Sequence, residues 1–307
     1  MSQKNILIFP HQGFVEDGGT IVQYYLASLL DKLGQNVRMH PHLGTTNNEL
    51  FTKYYNNDFP IDDSCVVIYC EGIVGNPLNA PNVVRWMLSK RGQNTPYERV
   101  DTWGKNELVY FFNSEDMINN NSEKINTIYK FLTIIFLHPI LDIHVPINSR
   151  KGYCHAKRKF AIHKNGYNII HPHDSYEIPH VLPFNVLMNI FNTYDTLVSY
   201  DPISFIYIMA PICGCMSIVY PIDGVDELDW IKLGAAKEYV ELNNIQKFYG
   251  IAYGVENIEW AKSTIHKAKQ QWEDIIQYYI KKNLPAFIED INNFGNNINT
   301  VENVYLI

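Results

Sequence analysis

The sequence predicts an α/β chain built from two doubly wound Rossmann-like domains facing a cleft. Three observations carry this. Short, continuously apolar segments recur along the chain, they alternate with helix-like segments, and the pattern begins again after residue 150. Strands that are apolar throughout are buried on both faces, which is the signature of a parallel sheet covered by helices.

The first half opens with KNILIFP at 4–10, a strand ending in a turn, followed by the glycine-containing loop HQGFVEDGG at 11–19. Residues 20–34 place Val22, Tyr25, Leu26, Leu29 and Leu33 at helical spacing, with Gly34 as the C-cap. Further strands are expected at 36–41, 65–69 and 109–113, and a helix at 81–92 between Pro81 and Gly92. FLTIIFL at 131–137 reads as the end of a buried helix or a strand. In the second half, strands are expected at 167–172, 196–200 and 216–221, with helices at 181–194, 201–213 and 258–282. Asn-rich sequence at 119–126 and INSRKG at 147–152 flank the expected boundary. The division is therefore 1–147, 148–256 and a C-terminal helical segment, 257–307, crossing back to the first domain.

The 307 residues are 46% hydrophobic, ample for a large core. A net charge of −7 argues against a general nucleic-acid binder and leaves room for one small basic pocket. Five cysteines without a secretory leader are expected to be reduced thiols of a cytoplasmic protein. Cys213 and Cys215 are either small core residues around Gly214 or half of a metal pair. No run reaches the roughly 18 apolar residues of a membrane span.

Chemistry is expected at the carboxyl ends of the strands. There, Tyr200, Asp201, Pro202, Ile203, Ser204 and Phe205 lead from a strand into a helix. Pro202 suits a first helical turn, and the amides of 203–205 would face an anion such as a diphosphate. Alternatively Asp201 is simply an N-cap satisfying the same amides. The basic segment 151–160 supplies Lys157, Arg158 and Lys159, either as a phosphate clamp or as a solvated loop. Glu71 directly follows a strand, with Arg85 as its partner or a surface charge. His171, His173 and Asp174 follow another strand. His11, Glu16 and Asp17 are candidate general bases in the first loop, and Gly18 and Gly19 allow close backbone approach to a ligand.

The layout resembles GT-B glycosyltransferases, notably the E-x7-E type that builds glycans and polysaccharides. NILIFPHQGFVEDGGTIVQYYLASLLDKLG is similar to the opening strand, loop and helix of that family. Asp201 stands at the first acidic position and Met209 at the second, followed in register by Ala210, Gly214 and SIVYP; Arg158 and Lys159 resemble the basic pair before the donor site. The resemblance implies a metal-independent transferase without a cofactor, moving sugar from a nucleotide-diphosphate sugar to a glycan or other hydroxyl acceptor. It implies a first domain on the acceptor side, with Asp17, His11 and Glu71 near the reaction. The donor would be bound by Gly18, Gly19, Arg158, Lys159, His171 and residues 200–205. Met209 departs from the family, because methionine cannot hold a ribose by hydrogen bonds. An epimerase of nucleotide-diphosphate sugars and a non-catalytic nucleotide- or glycan-binding subunit are the alternatives.

Overall fold

NILIF, buried from Ile6 onward, forms strand β1 (Asn5–Phe9), and the fully buried CVVIYC forms β3 (Cys65–Cys70), its neighbour in a parallel sheet. In the computed structural model, residues 3–10, 18–41, 52–54, 60–89, 102–104, 107–112, 130–158, 163, 165–180 and 182–294 are described. By contacts the chain divides into two units, Met1–Phe136 with Tyr279–Ile307, and Leu137–Tyr278.

The first unit holds a sheet of six parallel strands in the order β2-β1-β3-β4-β5-β6. The others are β2 (Val37–Met39), β4 (Asn82–Met87), β5 (Leu108–Phe111) and β6 (Lys130–Phe131). Helix α1 (Gly18–Lys32) follows β1 and turns its buried residues, Ile21, Leu26 and Leu30 among them, into the core. It ends where Gly34 adopts φ 76° and the amide of Gln35 reaches back to the Leu30 carbonyl, the left-handed C-cap expected of that glycine.

The expected helix at 81–92 is instead strand β4. NVVRWM is buried at every position, including Arg85, so it has no polar face for a helix to show to water. Asn82 anchors its start by donating to the carbonyls of Asp63 and Cys65 at 3.1 and 3.0 Å. Arg85 pairs with Glu107 at 2.6 Å, not with Glu71, and donates to the carbonyls of Ile73 and Gly75. Its guanidinium also lies over the rings of Tyr69 and Trp103 at 4.8 and 5.1 Å.

The second unit holds five parallel strands, β7 (Tyr153–Ala156), β8 (Tyr176–Glu177), β9 (Thr196–Ser199), β10 (Met216–Val219) and β11 (Ile251–Tyr253). Their order is β11-β10-β9-β7-β8. Helix α2 (Phe184–Thr193) leads into β9, and α3 (Ile206–Ile212) lies between β9 and β10. Two short helices, α4 (Glu227–Trp230) and α5 (Lys237–Leu242), come before β11.

Three expected elements differ here. No strand forms at 167–172, because the amides of Asn168 and Ile170 go to the hydroxyls of Tyr220 and Tyr200. Helix α3 begins at Ile206 rather than 201, because the Asp201 carboxylate folds the chain after it into a turn. The single helix expected at 258–282 is two, α6 (Ile258–Thr264) and α7 (Ala268–Asn292), joined by a tight turn at Ile265–Lys267. The Thr264 hydroxyl, held on the Trp260 carbonyl at 2.7 Å, accepts the Gly250 amide at 3.1 Å and ties that junction to the start of β11.

The first part of α7 belongs to the second unit and the rest, from Tyr279, to the first. In the first unit Asp290 accepts from Tyr110 and Lys130, and Leu284, Phe287 and Ile291 are fully buried.

Cys213, Gly214 and Cys215 close α3, with the amides of Gly214 and Cys215 returning to the carbonyls of Pro211 and Ala210. Gly214 has φ 81°, and a Cβ there would lie 3.0 Å from Ile147 and 3.1 Å from the Arg150 guanidinium. Arg150 is buried and donates to the carbonyls of Cys213, Phe191 and Val145 and to the Asn192 side chain. All five cysteines are buried and unpaired, and burial pushes the Cys213 thiol up to about 12.

Candidate functional site

In the second sheet β7 is flanked on one side by β8 and on the other by β9. The chain leaves β7 in one direction and returns on its opposite side, so the carboxyl ends of β7 and β9 form a topological switch point. Open parallel sheets bind ligands at such points. Ala156 pairs with Ser199 at the ends of the two strands. The residues that follow, Lys157 and Arg158 on one side and Tyr200 and Asp201 on the other, therefore emerge together.

Arg158 is half-buried and held at φ 34°. That left-handed conformation costs a side-chain-bearing residue on the order of 1–3 kcal/mol, and such strain gathers at functional positions. Its Nε is buried without a hydrogen-bond partner among the described residues. Burial disfavours its charge and the nearby Asp201 carboxylate offsets part of that. Lys157 is committed to Glu177 at 2.8 Å.

Asp201 is fully buried, and one carboxylate oxygen accepts the amides of Ile203 and Ser204, each at 3.1 Å. Two of the amides expected to await an anion are thus taken by the protein's own carboxylate. Asp201 caps the turn, and Ser204 turns its hydroxyl back to the Ile206 amide at 3.4 Å. The Pro202 carbonyl accepts from the Trp230 indole at 2.8 Å, Phe205 packs edge-on to Trp272, and Ile203 stays 53% exposed at the sheet edge.

Tyr200 organises the floor of this site. Its hydroxyl accepts the amide of Ile170 at 2.9 Å and meets His171 Nδ1 at 2.7 Å, while its carbonyl meets His163 Nε2 at 2.9 Å. Its ring packs against Tyr167 at 4.6 Å and Tyr220 at 5.5 Å. His171 also stacks on His155, which bonds Ser175 through Nδ1 at 3.0 Å. Burial lowers the proton affinity of both imidazoles; His155 is lowered further by His171, and both are lowered by Lys157.

Sequence reasoning missed His155, His163, Tyr167 and Tyr220. Their signal was faint, since histidine inside a strand and scattered tyrosines read as ordinary core. Among the described residues no group of three or more His, Cys, Asp or Glu is arranged to hold a metal ion.

The first sheet has its own switch point, between β1 and β3. Glu71 stands at the end of β3, only 7% exposed, and accepts the Leu88 amide at 2.9 Å and the Ser89 hydroxyl at 2.5 Å. Both oxygens are spent on joining the ends of β3 and β4. Gly18 and Gly19 are the first residues of α1, with open space where side chains would stand. His11, Glu16, Asp17 and Lys159 lie outside the described residues.

The second switch point thus offers a strained cation, an aromatic floor and a buried capping carboxylate. That set suits an anionic ligand. No protein-family model matches the chain, and no curated protein matches it either. No helix among the described residues is long and apolar enough to cross a membrane.

Proposed function

We propose that the chain is a glycosyltransferase of the GT-B type, whose second unit binds a nucleotide-diphosphate sugar. The observation that carries the proposal is Arg158, strained and with an Nε that has no partner among the described residues, at the switch point of a parallel five-stranded sheet. A guanidinium there neutralises charge on the diphosphate as the glycosidic bond breaks, electrostatic stabilisation that needs no metal. Tyr167, Tyr220 and His171, packed at steep angles around the buried Tyr200, give an aromatic wall for the donor's base or sugar. The acceptor and its general base belong to the first unit in this reading, with His11 and Asp17 as candidates. Glu71 is set aside as the base, because its two oxygens are occupied.

A binding-only role is favoured by one observation. Both carboxylates following strands at the two switch points already accept from the protein, Glu71 from the Leu88 amide and the Ser89 hydroxyl, and Asp201 from the amides of Ile203 and Ser204. Incubation with UDP-, GDP- and dTDP-sugars and a mixed glycan acceptor, followed by mass spectrometry, separates the readings. A new glycoside supports transfer, a converted free donor supports epimerisation, and binding without turnover supports the binding role.

A further inference from the structure

A second feature of the Leu137–Tyr278 unit uses none of the residues of the switch point. The loop between α5 and β11, together with α6 and the start of α7, encloses a groove of about 400 Å³. That is within the size range of small-molecule sites, roughly 300–1,000 Å³. Its walls include the side chains of Asn243, Asn244, Gln246, Tyr249, Trp260 and Gln271.

The chemistry of this wall is narrow. Among the described residues Lys247 is the one charged residue lining it, and its ammonium is committed to Glu227 at 3.0 Å and to Asn257. Lys267 lies over the Tyr249 ring at 5.5 Å. What remains is four primary amides, two rings and Ile245. A primary amide both donates and accepts, which matches a hydroxyl group. The amides are half used by the protein. Asn243 donates to the Tyr239 carbonyl at 2.8 Å, Gln246 donates to the Asn244 carbonyl at 3.2 Å, and Gln271 accepts the Tyr249 amide at 2.8 Å. Among the described residues the side-chain oxygens of Asn243 and Gln246, the Gln271 NH2 and the whole Asn244 amide have no protein partner, and Asn243, Asn244 and Gln246 are exposed. Gln271 is only 9% exposed, so its spare donors sit on a well-fixed side chain.

Asn244 adopts φ 50°, and the Ile245 amide returns to the Val240 carbonyl at 3.0 Å, a left-handed helix cap. Trp260 is pinned by its indole N–H on the Phe248 carbonyl at 3.0 Å, and its ring lies 5.8 Å from Tyr249 with the planes 34° apart. Two tilted, half-buried rings do not form the parallel slot that a nucleobase fills. They do offer apolar faces to the C–H surface of a pyranose, while the amides meet its rim of hydroxyls.

We infer that this groove binds a neutral saccharide. The inference stands apart from the donor reading, and either can fail without the other. The test is NMR titration of the full chain with cellotriose, maltotriose and chitotriose, following the Trp260 indole and Gln271 amide signals. At least one sugar should shift both signals saturably. Asn244→Gly accommodates the left-handed backbone and removes only the amide, and it should weaken that binding about tenfold; Gln271→Ala should do the same. Binding of nucleoside diphosphates should be unaffected by either variant. No shift with any of the three sugars, full binding by Asn244→Gly, or a response to nucleosides alone would overturn the inference.

Discussion

The imidazoles of His155 and His171 lie face to face, their centroids 3.7 Å apart and their planes 8° from parallel. Two cations cannot occupy this stack without repulsion, and burial already disfavours the charged form of each. Glu177 alone among the neighbouring charges favours protonation, while Lys157 opposes it.

Because both folded pKa values lie below the usual histidine value of about 6.5, the unfolded chain binds protons first on acidification. Stability from the pair is complete above that value and declines as the pH falls through it toward the folded values. Urea midpoints measured near pH 7.5 and pH 5.5, roughly one unit either side of the reference, should fall on acidification. The fall should be smaller in His171→Gln, which keeps a polar partner for Tyr200 and removes one titrating ring. An equal fall in both proteins would assign the acid sensitivity elsewhere.

Much of the fold was legible, because buried parallel strands such as CVVIYC and NILIF announce themselves by unbroken apolarity. The second unit's site was legible in outline, because Arg158 and Asp201 follow strands, and strand ends are where such sheets bind ligands. What misled was side-chain chemistry invisible to periodicity. Pro81 and Gly92 made NVVRWM look like a capped helix, although Arg85 is buried in it and neutralised inside the unit by Glu107. Tyrosine hydroxyls took the amides of 167–172 in place of a neighbouring strand, and the Asp201 carboxylate consumed amides expected to be vacant.

Arg85 yields a stability prediction. Its side chain is fully buried, and Glu107 is nearly so. Arg85→Met leaves that carboxylate buried without a partner, a loss that typically costs about 3–5 kcal/mol. Denaturant unfolding should show a drop of that order. A change below about 1 kcal/mol would mean that Glu107 finds water or another partner.

Asp201 holds amides and faces Arg158. Asp201→Asn keeps an oxygen for the cap but withdraws the charge that competes with phosphate for the guanidinium. Nucleoside diphosphates should therefore bind this variant several-fold more tightly. Asp201→Ala should instead lower stability by about 0.5–2 kcal/mol through loss of the cap. Weaker diphosphate binding by the asparagine variant, with its melting temperature intact, would mean that the carboxylate itself touches the ligand.

The central claim is that Arg158 receives a nucleotide diphosphate at the second switch point. Calorimetric titration of UDP, GDP and dTDP, with the matching nucleosides as controls, into the native chain and Arg158→Ala tests it most directly. One diphosphate should bind the native chain. The variant should lose about 1.5–3 kcal/mol of that affinity, the worth of a charge-assisted hydrogen bond, with nucleoside binding unchanged. Equal diphosphate affinity in the two proteins, or no diphosphate binding by either, would contradict it.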